Sequence, residues 1–370
     1  MIEHSDGATT PLIDASVHIF CESNADLRQG FMREPFRSRG FPDYEMDWYG
    51  APGGEYAAGT TGPAESTYPG SSPDLVAAEL FERRGVDVAV LHPMTRGIMP
   101  DRHLGTAIAC AHNDMMITRW LDHREYGDRF RGTARINPDD VSGALREIAR
   151  LRDHPRVVQL GVPMQSRELY GKPQFWPLWE AAADAGLPIA VHIETGSGIG
   201  FSPTPSGGTR TFEQYLGFMS LNYVYHLMNM IAEGVFARFP ELKFIWADGA
   251  ADMLTPFMWR MDCFGRPHLE QTPWAPNMPS DYLPGHVYFV QGSLDGPVDA
   301  DFAGDWFDFT GKSDMTMYGS SYPHWHNYGP TAPASFTAEQ RDKLFWRNAA
   351  ELYDVSTPAI ESAMQHKEAR

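Results

Sequence analysis

The sequence predicts an α/β protein folded as a (β/α)8 TIM barrel with long βα-loop insertions. Two observations carry that prediction. Eight short apolar runs alternate with longer helical stretches from one end of the chain to the other, as a closed parallel barrel requires. Neither a charge run nor a Gly/Ser linker interrupts the 370 residues, so residues 1–370 form a single barrel domain.

The elements follow in order. Leu12 to Phe20 is the first strand, and Pro73-Asp74-Leu75 opens a helix that runs to Gly85. Val86 to His92 is the second strand, followed by a helix from His103 to His123. Phe130 to Ile136 is the third, with a helix from Asp139 to Leu151; Val157 begins the fourth, and its helix runs from Phe175 to a C-cap at Gly186. Leu187 to Ile193 is the fifth strand, followed by helix from Thr211 to Phe239 in two pieces. Leu242 to Ala247, His286 to Val290 and Met315 to Gly319 complete the strands, and a helix from Ala338 to Tyr353 closes the ring. Pro/Gly-rich insertions near 37–72, 194–208 and 265–285 point to a deep, covered pocket on the face where barrel chemistry is built. The same loops, with aromatics such as Trp48 and Trp274, suit oligomer contacts equally well.

Composition narrows the function. A formal net charge of −18 excludes nucleic acid as a partner and disfavours an anionic membrane. Cys21, Cys110 and Cys263 are far apart and form no CxxC pair, which points to a reducing compartment. The acidic N-terminus has no apolar signal core, and no apolar run approaches the ~20 residues of a membrane helix. A cytoplasmic location is expected.

Alternation along the first strand puts Asp14, Ser16, His18 and Phe20 on one face, with His18 near the C-terminal end. His192 and Glu194 share a face at the end of the fifth strand, Asp248 ends the sixth, and His92 ends the second. The eighth strand runs into Ser320-Ser321-Tyr322-Pro323-His324-Trp325-His326. Each residue alone is more readily a hydrogen-bonded structural group than a ligand. Gathered at one barrel rim, imidazoles and carboxylates suit a divalent cation: zinc, iron or manganese. Arg260, in Trp259-Arg260-Met261-Asp262, is expected to pair with a carboxylate or cap a loop. His112, His123 and His154 are expected to be solvated, His226 to be structural, and the 18 methionines to fill core gaps.

Several stretches together resemble the amidohydrolase-related metalloenzymes, in the branch of hydrolases and decarboxylases of small carboxylic acids. They are Ile13 to His18, Gly186 to His192, Gly234 to Pro240, Trp259 to Asp262, Gly319 to Trp325 and Arg347 to Tyr353, in the family's order along most of the chain. The resemblance implies His18 and His192 as metal ligands. It also exposes departures. Ser16 stands where the family usually has His, Asp or Glu; Ser321 replaces the aspartate that binds metal and handles the proton of attacking water; and Asp248 replaces a His or Glu. A serine hydroxyl is a poor ligand and no base near neutral pH. The implied metal set is therefore His18, His192 and Asp248, with Asp248 and His324 in catalytic roles. Glu194, His92, Ser321 and His326 are further ligands or substrate contacts.

Three functions fit this set. Two histidines and a carboxylate match the donor types of non-haem iron oxygenases, and the eroded ligand set is similar to that of two-subunit 2-aminoisobutyric acid hydroxylases, in which a homologous barrel subunit is the partner. A metal-dependent hydrolase or decarboxylase of a small carboxylic acid is the second, since decarboxylation needs Lewis-acid polarisation more than a water nucleophile. A non-catalytic scaffold with one structural metal is the third. In all three the chain works as part of a homo- or hetero-oligomer.

Overall fold

In the computed structural model the described residues are 2–3, 9–38, 60, 62, 64, 68–95, 99, 101–193, 211–247, 249, 251–265, 270–297, 299–324 and 329–368. A two-residue antiparallel ladder between Ile2–Glu3 and Thr9–Thr10 precedes the barrel. The barrel strands are β1 (Ile13–Ile19), β2 (Val88–Pro93), β3 (Phe130–Arg135), β4 (Val157–Pro163), β5 (Ile189–His192), β6 (Phe244–Ala247), β7 (Val287–Gln291) and β8 (Thr316–Tyr318). All neighbours pair in parallel and in sequence order. A single bridge between Val17 and Tyr322 joins β1 to the segment after β8, so the ring is all but closed.

The helices are α1 (Asn24–Gly30), α2 (Pro73–Ala77), α3 (Arg102–Met115), α4 (Val141–Leu151), α5 (Trp176–Asp184), α6 (Phe212–Ala232), α7 (Val235–Arg238), α8 (Ala251–Gly265), α9 (Ala303–Phe309), α10 (Ala338–Asp342), α11 (Asn348–Tyr353) and α12 (Pro358–Glu368). Their starts follow from side-chain caps. Ser72, Asp101, Asp140 and Thr211 each accept from backbone N–H groups of the first turn, which have no partner within the helix. Gly234, at φ 73, splits the stretch after β5 into α6 and α7, giving the two expected pieces. The helices expected at 73–85, 103–123 and 338–353 each contain a wider π-type segment, at Ala78–Arg83, Met116–Leu121 and Lys343–Arg347. The terminal ladder, α1 and α12 were not predicted, because short or weakly amphipathic segments carry little periodic signal.

Strand alternation sorts side chains into two cores. Outward residues such as Ala89, Leu91, Phe130, Leu160, Ile189, Phe244 and Phe289 pack with the helices. Inward residues Ile13, Ala15, Val88, Val90, Ala190, Ile245, Val290 and Met317 fill the barrel, and α11 plugs its lower end with Trp346, Ala350 and Tyr353 nearby. Gly319 marks the tightest point of closure. A Cβ there would lie 2.3 Å from Val290 Cγ1 and 2.8 Å from Ser16 Cβ.

The cysteines are free thiols: Cys21 buried, Cys110 half-buried and Cys263 exposed. Among the described residues no helix is long and apolar enough to cross a membrane.

Candidate active site

A bulge in β1 builds the mouth of the barrel. Asp14 pairs with Ala89 and Val17 with Leu91, so one extra residue is accommodated between them. Ala89 and Leu91 face the helices. Asp14 therefore points outward, whereas Ser16 and His18 both point inward. This corrects the expectation, from strict alternation, that Asp14, Ser16 and His18 share one face.

Asp14 instead closes the ring. Its Oδ1 accepts from Ser320 N at 2.9 Å and Ser16 N at 3.2 Å. Ser321 N donates to Ser16 O at 3.0 Å, and His18 N to Tyr322 O at 2.8 Å, extending the same seam. Burial pushes the Asp14 carboxyl up to about 6, against the lowering effect of its Ser320 and Ser16 contacts.

Inside the mouth three imidazoles meet. His18 Nε2 lies 2.9 Å from His192 Nε2 and 3.2 Å from Ser16 Oγ. On its other side His18 Nδ1 lies 2.6 Å from His324 Nδ1. His18, His192, His324, Ser16 and Ser321 are all buried. His192 Nδ1 lies 2.5 Å from the Ile193 carbonyl, which can only accept. The proton of a neutral His192 is therefore on Nδ1, and its Nε2 presents a lone pair toward His18. Two facing imidazole nitrogens at 2.9 Å need something between them: a proton or a cation. Two ligand atoms about 2.1 Å from one cation and at right angles lie ~3 Å apart, so the spacing suits either occupant. The donor set thus fits a divalent cation at two ligands, with the Ser16 hydroxyl alongside.

A complete cage needs more. Among the described residues no group of three His, Cys, Asp or Glu side chains is arranged to hold a metal ion. His324 does not face the point between His18 and His192. It stands behind His18, where a hydrogen-bond partner fixes the tautomer of a ligand. Asp248, Glu194 and His326 lie outside the described residues, as do the 194–208 insertion, Trp48 and most of the 37–72 insertion. Ser321 sits at the rim with φ 55, a left-handed backbone conformation uncommon for a residue with a side chain.

His92 is inward and close by, its ring stacked on His192 at 4.8 Å. Its Nε2, however, is turned to the barrel floor, 3.1 Å from Gln159 Nε2 and 3.2 Å from Ala15 O. Burial, with the positive charge of Arg135, lowers its pKa to about 3, so it is neutral at physiological pH. Gln159 continues this floor network to Thr133 Oγ1 at 2.8 Å and accepts from the Tyr353 hydroxyl at 2.9 Å.

Other sequence expectations resolve as follows. Arg260 lies over the Phe264 ring at 4.7 Å rather than on a carboxylate of the described residues. His112 is fully buried, not solvated, and burial lowers its pKa to about 3; His123 and His154 are half-buried. His226 is structural as expected: its Nδ1 accepts from Tyr170 N and its Nε2 donates to Met164 O. Sequence reasoning missed Arg135, Thr133 and Gln159. The alternation Arg131, Thr133, Arg135 on β3 was the available signal, because three polar residues on one face of a strand whose other face is apolar must line the barrel.

An eight-stranded parallel barrel with buried imidazoles at the C-terminal mouth defines the class: a TIM-barrel protein with a histidine-rich site where such barrels carry chemistry. The amidohydrolase family profile matches residues 13–355, and the chain belongs to that family. Among solved structures it is similar to the amidohydrolase map2389c of Mycobacterium avium subsp. paratuberculosis K-10, with 17% identity over 94% of this chain and 100% of that one and a TM-score of 0.68. It is also similar to 5-carboxyvanillate decarboxylase LigW of Sphingomonas paucimobilis, with 21% identity over 94% and 100% of the two chains and a TM-score of 0.64. A third, the dihydroxybenzoic acid decarboxylase of Polaromonas sp. JS666 with bound manganese and 2-nitroresorcinol, shares 18% identity over 95% and 99%, with a TM-score of 0.63. No curated protein sequence matches the chain.

Proposed function

We propose that this protein is a metal-dependent decarboxylase of a small carboxylic acid. The observation that carries this is the facing Nε2 pair of His18 and His192 at 2.9 Å, set beside serines at 16 and 321 where water activation would need a carboxylate. His18, His192 and Asp248 are the proposed ligands, and manganese, present in the Polaromonas decarboxylase, leads zinc and iron as the metal. When bound, the cation supplies Lewis-acid polarisation of the substrate carboxylate and its neighbouring oxygen.

The chain's own residues do the rest. The Ile193 carbonyl holds the His192 proton on Nδ1 and keeps Nε2 for the ligand role. His324 fixes the His18 ring from behind, as a positioning residue. Neither Ser16 nor Ser321 can take a proton from water at neutral pH, which favours a reaction without a hydroxide nucleophile. Decarboxylation breaks a carbon–carbon bond, releases CO2 and leaves an electron pair on carbon that a proton must meet; Asp248 is the proposed donor.

The test is CO2 release from a panel of aromatic and aliphatic carboxylic acids, with chain stripped of metal and then loaded with manganese or zinc. Metal-dependent release that disappears in His192→Ala supports the proposal; no release from any acid at full metal loading ends it. The same serines favour a second reading, an oxygenase subunit paired with a homologous barrel. Oxygen uptake with 2-aminoisobutyrate, measured with iron and a partner chain, would support that reading instead.

A further inference from the structure

We propose that Arg135 is an anion anchor inside the barrel, holding a carboxylate of a small organic acid beside the His18–His192 pair. The inference deepens the decarboxylase reading and rests on it for the identity of the site.

Arg135 is the last residue of β3, on the same inward face as Thr133. Its side chain crosses β4 over Gly161. A Cβ on Gly161 would lie 2.5 Å from Arg135 Nη1 and 3.1 Å from its Cδ, so only glycine leaves room for this course. Arg135 pairs with Gly161, Gly161 with Ala190, and Pro163 with His192. The rung next to the guanidinium thus carries the two smallest side chains available. Two residues further along β5 stands His192.

The position is rigidly held. Asn113 of α3 accepts from Arg135 N at 2.7 Å and donates to Arg135 O at 2.9 Å, and it also donates to Glu147 at 2.7 Å. All of this lies in the buried interior, and Arg135 itself is 2% exposed. Burying a guanidinium is costly. Desolvation draws its pKa down to about 9, which still leaves it charged at neutral pH.

That charge has a use at this place. With a net charge of −18, the chain's long-range field repels anions. Recruitment of a carboxylate then depends on a local, desolvated cation. A planar guanidinium matches a carboxylate with two parallel N–H donors, and it does so more strongly where water is excluded.

The experiment is calorimetric titration of the full-length, metal-stripped chain with benzoate and with benzamide, which has the same ring and no charge. The wild type is expected to bind benzoate at least tenfold more tightly than benzamide. Arg135→Met should erase that preference and Arg135→Lys should retain part of it; circular dichroism confirms that each variant is folded. Gly161→Ala, which presses on the guanidinium from the next strand, should weaken benzoate severalfold without removing any charge. A wild type with no preference, or an Arg135→Met chain that keeps it, overturns the proposal. The readout needs neither metal nor turnover. Benzoate preference without CO2 release sinks the decarboxylase alone, and CO2 release with an unaltered Arg135→Met preference sinks the anchor alone.

Discussion

Lys312→Met isolates the cost of a buried charge far from the histidine pair. Lys312 opens the turn before β8 and is 1% exposed. Its Nζ donates to Thr255 Oγ1 on α8 at 2.6 Å and lies 5.9 Å from the centre of the Phe289 ring. Desolvation pulls its pKa down from 10.5 to about 8, with the charge of Asp252 opposing the fall. That gap corresponds to about 3 kcal/mol. The sign follows from proton counting. Between pH 8 and 10.5 the unfolded chain holds a proton that the folded chain has released, so stability rises with pH through this window. Below pH 8 the whole penalty is present. Methionine removes the penalty and also the Thr255 hydrogen bond, worth about 1 kcal/mol. Lys312→Met should therefore be more stable than wild type by ~2 kcal/mol at pH 7 and less stable by ~1 kcal/mol near pH 10.5, where the wild-type lysine is neutral. Urea unfolding of both chains across pH 7–10.5 gives the difference directly, with other titrations cancelling. A difference that stays constant over that range, or a methionine variant less stable at pH 7, refutes the account.

His324→Ala should leave the fold intact and weaken metal binding ~10–100-fold, because the partner behind His18 Nδ1 is lost; competition with a chelator measures it, and unchanged affinity would remove His324 from the site. Tyr353→Phe should cost ~1–2 kcal/mol by leaving the buried Gln159 Oε1 without its donor, read as a shifted denaturation midpoint with unchanged slope. Thr211→Ala should cost ~1 kcal/mol, since Thr211 and Gln214 cap the start of α6 reciprocally; a neutral result would show that this end contributes nothing to stability. Gly319→Ala should prevent closure of β8 on β1, because its methyl would meet Val290 and Ser16; a soluble variant with wild-type unfolding behaviour would contradict the packing described.

The barrel was legible because its strands are almost entirely buried and its helices amphipathic. Runs such as Val88 to Pro93 and Val157 to Pro163 are buried at every position, and α4 places Ala144, Ile148 and Leu151 on one face between an Asp140 cap and Arg152. Periodicity detects both. It could not detect α12, whose first residue is a proline and whose apolar residues are few, nor the π-type segments, which keep a helical pattern while widening the turn.

The site was legible in its residue types and not in its directions. His18 and His192 emerged from strand ends, and the fold brings them to 2.9 Å. The residue between Asp14 and Val17 that breaks the β1 register is invisible to alternation, yet it decides which groups can act. In an unbroken strand Asp14 would share a face with His18, four residues before it. With the bulge, Asp14 ties Ser320 to Ser16, and the Ser16 hydroxyl stands 3.2 Å from His18 Nε2. The bulge thus turns Asp14 from the barrel interior to the seam where the segment after β8 meets β1, a change that residue spacing alone does not reveal.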